Sequence, residues 1–147
     1  MTLMFLNGTA MSGQADHHTI EGAIFIGAAR TAARYRFIAV GGRFPGLLPV
    51  GQGGAAIVGE LYDISEATLV DRLLPTEPPE LAIGTIELSD GQSVSAMLLQ
   101  PERLLDGDEF VDITGLGGWR AYRQHLADNR TLAALLGRDR KHPGAVA

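Results

Sequence analysis

The 147-residue sequence contains no cysteine. This absence excludes disulfide bonds and every reaction that depends on a thiolate. No apolar run reaches the roughly 18 residues that a membrane-spanning helix requires, and the N-terminus lacks the basic start and apolar core of a secretory signal. We therefore expect a cytoplasmic protein that has no membrane partner.

Positive charge is also scarce. The chain has 12 Lys and Arg residues against 17 Asp and Glu residues, for a net charge of −5. A chain without a basic surface is not expected to bind nucleic acid. Hydrophobic residues make up 46% of the sequence, which is typical of a globular protein that buries a single core. We expect one domain over residues 1–137 and a flexible C-terminal tail over residues 138–147.

Turn-forming residues are abundant, with 19 glycines and seven prolines. The pattern predicts strands at residues 3–6, 23–27, 35–40, 55–64, 83–88 and 94–99, a short helix from Ser65 to about Leu73, and a helix from Trp119 onward. Residues 41–46 are predicted to be a loop, Pro75 to end the short helix, and Asp90-Gly91 to form a type I′ turn. Strands and helices do not alternate regularly, which argues against a doubly wound parallel sheet. We therefore predict an α+β fold, a small mixed β-barrel with flanking helices.

The first predicted strand runs directly into the loop Asn7–Gly13. A strand that ends in a glycine-hydroxyl loop can direct several backbone N–H groups at one point, where they would hold an anion or a developing oxyanion. An ordinary strand-to-loop turn is the alternative interpretation. Within the strand at residues 55–64, alternation favours an outward-facing carboxylate for Glu60, and a carboxylate facing the barrel interior is the other interpretation.

Several blocks of the sequence resemble known families. Residues 5–11, 35–37, 44–49 and 57–62 resemble, in the same order, segments of the gamma-glutamylcyclotransferase-like (AIG2-like) superfamily, whose opening loop reads Tyr-Gly-Ser/Thr-Leu. Residues 11–13 with His18, residues 81–91 and residues 112–122 more closely resemble the C-terminal domain of allophanate hydrolases and its stand-alone relatives. The block at residues 112–122, which contains Gly-Leu-Gly-Gly-Trp-Arg, is the most specific of these matches.

This resemblance implies a cyclotransferase-type barrel and a chemistry. In active cyclotransferases the glycine loop binds the glutamyl part of the substrate through backbone amides, and a glutamate after the helix moves a proton while an amine attacks the amide carbonyl. The allophanate hydrolase domain is linked to decarboxylation of the N-carboxylated product of its amidase partner. By resemblance the substrate-binding residues are Asn7, Gly8, Thr9 and Ala10, with Asn7 where the family has Tyr and Ala10 where it has Leu.

Glu77 is the candidate acid/base. A gap-free alignment puts Leu74 at the position of the family's glutamate, and Glu77 takes that position if three extra residues are allowed. Glu77 lies between Pro75 and Pro78, and a stiff segment of this kind can hold a catalytic carboxylate in place. If Glu77 faces the barrel cavity, burial would bring its pKa closer to neutral pH. A solvent-exposed loop glutamate is the alternative.

His18 is the second catalytic candidate. Imidazole transfers protons readily near neutral pH, and His18 falls where the allophanate hydrolase domain carries a histidine. A polar residue of a helical turn is the alternative interpretation. Adjacent histidines such as His17 and His18 point in different directions, so together they do not make a metal site. We expect neither a metal nor a cofactor.

Two functions from different classes follow. The first is a small enzyme that acts on an amide- or carbamate-bearing amino compound by general acid/base chemistry. The second is a non-catalytic module of the same fold that binds a small carboxylate or a partner protein. As partners we expect a small-molecule substrate or ligand and, among proteins, a second copy in a homodimer or an amidase-type protein.

Overall fold

The computed structural model describes residues 1–137 and has the predicted mixed α+β architecture. One mixed sheet of eight strands curls into a half-barrel, and helical segments flank it. The strands are β1 Thr2–Leu6, β2 Ile24–Arg30, β3 Tyr35–Val40, β4 Phe44–Pro49, β5 Val58–Ile64, β6 Leu81–Glu87, β7 Ser93–Leu99 and β8 Phe110–Asp112. The α-helices are α1 Glu66–Thr68 and α2 Trp119–Leu135, and 3₁₀ turns span His17–Ile20, Leu74–Thr76, Pro101–Arg103 and Thr114–Leu116.

Strand β1 lies in the middle of the sheet. The strand order is β2-β5-β1-β7-β4-β3-β8, with β6 paired to β7. β1 runs antiparallel to β5 and parallel to β7. Its residues Met4, Phe5 and Leu6 are buried on both faces, which is why the sequence is apolar without alternation at this point. The loop that follows β1 is therefore held at one end of the core.

The β6–β7 hairpin is confirmed, but its turn is not of type I′. A type I′ turn needs a positive φ at both central residues, and no non-glycine residue of the described chain has one. Instead, Gly91 N–H donates to the Leu88 carbonyl at 3.0 Å, so Ser89 and Asp90 are the central residues of the turn, and Gly91 follows them with a positive φ of 91°. Asp90 stays in the ordinary region because its carboxylate accepts the Gln92 N–H at 3.0 Å.

The prediction of a loop at residues 41–46 is wrong from Phe44 onward. Phe44–Pro49 forms β4, which pairs with β3 along its whole length. Its pairing with β7 is confined to Leu47 opposite Leu98, so the missing N–H groups of the prolines leave few bonds unmade. Gly46 is needed for close packing, since a Cβ there would lie 2.8 Å from the Leu99 Cβ.

The segment between β5 and β6 begins as predicted and continues differently. Ser65 caps α1, because its hydroxyl accepts the Thr68 N–H at 3.1 Å. The α-helix then widens into a π-helical turn at Leu69–Leu73 and tightens into the 3₁₀ turn Leu74–Thr76. Pro75 does not end the helical segment, because a proline is tolerated in the first turn of the new 3₁₀ segment.

Helix α2 covers one end of the sheet with apolar residues at helical spacing. Trp119 and Tyr122 are buried, Trp119 to 2% exposure, and Leu126 packs against the core. A Cβ at Gly118 would lie 2.5 Å from the Val58 side chain, so glycine lets the helix start close to the sheet. None of the helices in residues 1–137 is long and apolar enough to cross a membrane. The predicted tail, residues 138–147, lies outside the described residues.

Candidate active site

Two adjoining cavities, of about 30 and 200 Å³, share four lining residues: Thr9, Ala10, Phe44 and Glu77. We call them together the Glu77 cleft. Asn7 and Gly8 line the smaller cavity, and Asp16 and Arg43 line the larger one. The structure therefore brings all four predicted substrate-binding residues and Glu77 to one cleft, although they come from distant parts of the chain.

The loop after β1, which lines this cleft, carries backbone donors that are not used within the described chain. Its carbonyls are engaged, since Gly8 accepts the Met11 N–H at 3.2 Å and Thr9 accepts the Asp16 N–H at 2.8 Å. Within residues 1–137, however, the N–H groups of Gly8, Thr9 and Ala10 donate to no acceptor. Backbone donors without a partner are rare in folded proteins unless water or a ligand satisfies them. These three N–H groups are the donors available to a bound anion or carbonyl oxygen.

Glycine is required at position 8. A Cβ there would lie 2.8 Å from the Cδ of Pro45, at the start of β4. The loop and β4 can therefore approach each other only because Gly8 has no side chain. This close approach forms one wall of the smaller cavity, which Pro45 also lines.

Asn7 contributes a polar side chain to the smaller cavity. Only 9% of its surface is exposed, and its carboxamide forms no hydrogen bond with any residue in the described part of the chain. A carboxamide carries two donors and one acceptor group, and buried polar side chains are usually hydrogen-bonded. Asn7 is thus able to bind a ligand polar group.

Glu60 fixes the far side of the loop, contrary to the expectation of an outward-facing carboxylate. It is buried, and its carboxylate accepts the Ser12 N–H at 2.7 Å and the Ser12 hydroxyl at 2.6 Å. Tyr62 donates its hydroxyl to the same carboxylate at 3.1 Å. The prediction failed because both faces of β5 are largely covered, with consecutive residues from Gly59 to Tyr62 all buried.

The charge of Glu60 is stabilised where it lies. Burial by itself would raise its pKa, but the hydrogen bonds from Ser12 and Tyr62 and the charge of Arg120 outweigh that effect and lower the pKa below its ordinary value. Burial and the neighbouring Glu60 raise the pKa of Tyr62 to about 12. Glu60 therefore stays an acceptor and Tyr62 a donor at neutral pH.

Arg120 on helix α2 completes this anchor. Its Nη2 lies 2.6 Å from the Ser12 carbonyl oxygen and 3.3 Å from the Glu60 carboxylate. Sequence reasoning did not identify Arg120 as a site residue, because the contact joins segments 108 residues apart. Its only sequence signal is its place in the resembling block at residues 112–122.

Glu77 is half-buried in the cleft. It follows the 3₁₀ turn, with its N–H donating to the Leu74 carbonyl at 3.1 Å, and Pro78 favours the extended backbone that it adopts. Burial raises the pKa of Glu77 to about 7, and the negative charge of Asp16 adds to the shift. A carboxyl group of this pKa can both accept and donate a proton near neutral pH.

The structure does not bring His18 to the Glu77 cleft. His18 is exposed on the 3₁₀ turn His17–Ile20, with Nδ1 3.2 Å from the Ala15 carbonyl oxygen, and it lines a separate surface groove. His17 is the histidine next to the loop, because its Nδ1 lies 2.9 Å from the Ala10 carbonyl oxygen. Among residues 1–137 no three His, Cys, Asp or Glu side chains are grouped so as to hold a metal ion.

Residues 2–124 match the family described as the allophanate hydrolase C-terminal domain. The chain belongs to this family. Among solved structures, a uropathogenic Escherichia coli-specific protein is 37% identical, with a TM-score of 0.76 over 84% of this chain and 96% of that one. Comparison with curated proteins finds no match.

This chain is also similar to parts of longer chains. Allophanate hydrolase of Kluyveromyces lactis is 26% identical to this chain, with a TM-score of 0.75, and the match covers 85% of this chain but 21% of that one. The match to the urea amidolyase of the same organism covers 8% of that chain. A mouse AIG2-like protein, 24% identical with a TM-score of 0.52 over 67% of this chain and 76% of that one, supports the fold alone.

Proposed function

We propose that the protein is an enzyme that acts on a small amide- or carbamate-bearing amino compound, with Glu77 as the general acid/base. The observation that carries this proposal is the shared cleft: a carboxyl group whose pKa is raised to about 7 lies in a cleft that is lined by three residues whose backbone N–H groups have no acceptor in the described chain. The carboxyl group of Glu77 can move a proton, and the backbone N–H groups can stabilise an oxyanion. Both are needed to attack an amide or carbamate carbonyl.

In the proposed reaction the substrate carbonyl oxygen binds at the N–H groups of Gly8, Thr9 and Ala10. The lone pair of the attacking amine forms a new C–N bond to the carbonyl carbon, and the ionised Glu77 takes the amine's proton. Charge develops on the carbonyl oxygen, and preorganised donors stabilise it without reorganisation. Glu77 then returns the proton to the departing nitrogen as the original C–N bond breaks.

The cleft also limits the size of the substrate. The larger cavity has a volume of about 200 Å³, which is below the 300–1,000 Å³ or so of pockets that hold drug-sized ligands. A compound the size of an amino acid derivative or a small carbamate suits this volume. The narrower cavity beside Asn7 and Gly8 would receive the carbonyl group.

The second candidate function is a non-catalytic module of the same fold that binds a small carboxylate ligand. The free N–H groups of the loop would serve that function equally well. The raised pKa of Glu77 favours the enzyme. A site that only binds a carboxylate ligand gains nothing from the carboxyl group of Glu77 in its wall. The two functions differ in whether turnover is detected.

The family context extends the proposal to partners and location. A domain similar to this one forms about a fifth of an allophanate hydrolase chain. We therefore propose that a separate amidase-type protein supplies the substrate, which is the carbamate or related product of the amidase reaction. The two proteins would then work together in the cytoplasm. Co-purification with an amidase from the native host would support this part of the proposal.

The test is a screen of gamma-glutamyl dipeptides and small carbamates with the full chain, followed by Glu77→Gln and His18→Ala on any hit. Removing a general acid/base lowers turnover by about 10²–10⁴-fold, and we expect a loss of that size for Glu77→Gln. His18→Ala should leave kcat within about twofold, because His18 lies outside the cleft.

The outcomes separate the two functions. Loss of kcat in Glu77→Gln with an unchanged fold supports the enzyme. Activity that survives Glu77→Gln undiminished removes Glu77 from the mechanism. If no amide or carbamate is turned over while small carboxylates bind, the binding module replaces the enzyme.

A further inference from the structure

Arg43 is the only basic residue among the described residues that line the Glu77 cleft. The other ionisable lining residues are Asp16 and Glu77, both acidic. Without Arg43 the cleft would therefore repel an anion and prefer a neutral or cationic ligand. The charge of one side chain thus decides which class of compound the cleft can accept.

The guanidinium of Arg43 lies near two carboxylates, but its N–H donors form no hydrogen bonds with them. Its Nη2 lies 3.7 Å from the Glu80 carboxylate and 3.9 Å from the Asp108 carboxylate. These are ion-pair distances that are too long for hydrogen bonds. No side-chain hydrogen bond from Arg43 occurs within residues 1–137, and the side chain is 60% exposed. A guanidinium has five N–H donors in a fork that matches a carboxylate, and here they are available.

The local backbone and packing set where the guanidinium lies. Gly41 and Gly42 form the turn before Arg43 with positive φ values of 59° and 69°. A Cβ on Gly41 would be 3.0 Å from the Arg43 Nε, so the absence of a side chain leaves room for the arginine. The guanidinium carbon lies 5.1 Å from the centroid of the Phe44 ring, which also lines the cleft.

A second, independent observation comes from Glu80. This residue is only 2% exposed, and its Oε1 has no hydrogen-bond partner in the described chain. Within residues 1–137 its only ion-pair partner is Arg43. A buried carboxylate with so few hydrogen-bond and ion-pair partners lowers the stability of the fold. Stability therefore does not explain why Glu80 lies there. Attraction to Glu80 keeps the guanidinium beside the cleft instead of free in solvent.

We propose that Arg43 binds a carboxylate or carbamate group of the ligand, and that this pairing makes the protein selective for compounds that carry an anionic group next to the reacting amide. This inference rests on the proposed function for the identity of the cleft, and it adds the residue that selects the ligand. The anionic group binds at the Arg43 end of the larger cavity. The reacting carbonyl binds at the loop beside Asn7 and Gly8.

The test measures binding, which requires no turnover. N-acetylglycine and N-acetylglycinamide have nearly the same shape and each carries an amide, but only the first is an anion at neutral pH. Their dissociation constants are measured by NMR titration of the full chain at low ionic strength, following the amide signals of Gly8 and Thr9. A charge-assisted hydrogen bond is expected to give the acid about a tenfold advantage over the amide.

Three variants make the test specific. Arg43→Gln should abolish the preference for the acid, and Arg43→Lys should keep part of it, because charge remains but the fork is lost. Arg34→Gln is the matched control, since Arg34 is 67% exposed and pairs with Glu87 away from the cleft; it should keep the full preference.

The proposal is overturned if wild-type protein binds the two probes equally, if neither shifts the loop signals, or if Arg43→Gln retains the preference in a folded protein. Its failure is distinguishable from failure of the proposed function. If the preference depends on Arg43 and no substrate is turned over, the anion site stands and the enzyme does not. If Glu77-dependent turnover of amides that carry a carboxylate is unchanged in Arg43→Gln, the enzyme stands and the anion site does not.

Discussion

Glu60 and Ser12 are joined by two hydrogen bonds, one from the Ser12 N–H at 2.7 Å and one from its hydroxyl at 2.6 Å. A carboxylate buried in the sheet thus fixes the loop whose other end lines the Glu77 cleft. Arg120 adds a contact from helix α2 to both residues. The geometry of the loop therefore depends on a strand, a helix and one buried charge together.

Glu60→Gln is expected to destabilise the fold at neutral pH by about 1–3 kcal/mol, the usual cost of removing one partner from a buried charged hydrogen-bond network. The pKa of Glu60 is lowered in the folded state, so its ionised form contributes stability above pH 4.5. That contribution is lost as the pH falls through the folded-state pKa. The difference between wild type and variant should therefore shrink on acidification.

Urea denaturation at neutral pH and at about one pH unit below the ordinary pKa of a glutamate measures this difference. Glu21→Gln is the control, because Glu21 makes an exposed ion pair with Arg72 at 3.7 Å, and such pairs contribute little. Equal effects of the two substitutions at neutral pH would show that the Glu60 anchor does not stabilise the loop.

Trp119→Ala is expected to cost about 3–5 kcal/mol, since truncating a buried tryptophan loses its packing and leaves a cavity. Trp119 is buried beneath the start of α2, whereas Leu132 on the same helix is 55% exposed. Leu132→Ala should therefore change the free energy of unfolding by no more than about 0.5 kcal/mol. Chemical denaturation of both variants checks the expectation, and a small effect for Trp119→Ala would mean that α2 does not pack on the sheet in solution.

Glu77→Gln is expected to stabilise the protein increasingly as the pH rises. Because the pKa of Glu77 is about 7 in the folded state and 4.5 ordinarily, the folded state holds a proton that the unfolded state releases between these values. Wild-type stability is therefore lost as the pH rises from 4.5 to about 7, by up to about 3 kcal/mol. The variant has no such loss, because its carboxamide at this position stays neutral at every pH in the range.

Thermal or urea unfolding on either side of neutral pH, at about pH 5 and about pH 8, measures that dependence. The control substitution is Glu102→Gln, because Glu102 is exposed and does not line the Glu77 cleft. If the stability of Glu77→Gln relative to wild type is the same at both pH values, the carboxyl group of Glu77 is not desolvated.

Short-range patterns predicted the parts of the fold that short-range interactions decide. The apolar run at residues 3–6 and the alternation on either side of Asp90-Gly91 specify β1 and the β6–β7 hairpin. Strand β4 was missed because Pro45 and Gly46 disfavour a strand locally, while pairing with β3 compensates for them. That compensation depends on residues brought together by the whole sheet.

The same distinction applies to the cleft. Glycine and hydroxyl residues in sequence identified the loop at residues 7–10, and two prolines singled out Glu77. The roles of Glu60 and Arg43 could not be predicted, because each depends on a distant partner: Ser12 for Glu60, 48 positions away, and the buried carboxylate of Glu80 for Arg43. The Glu60 prediction failed because both faces of β5 are covered, so alternation along this strand does not separate buried from exposed side chains.

The most direct test of the central claim is the titration of the Glu77 carboxyl group, followed by its carbon-13 chemical shift in the full chain, with Glu77→Gln used to assign the signal. The claim is that Glu77 is a proton-transfer group poised near neutral pH inside the cleft. It predicts a titration midpoint close to pH 7 in the wild-type protein. In Asp16→Asn the midpoint should fall only part of the way toward the ordinary value, because burial is the larger cause of the shift and Asp16 the smaller. A midpoint near 4.5 in wild-type protein would contradict the claim.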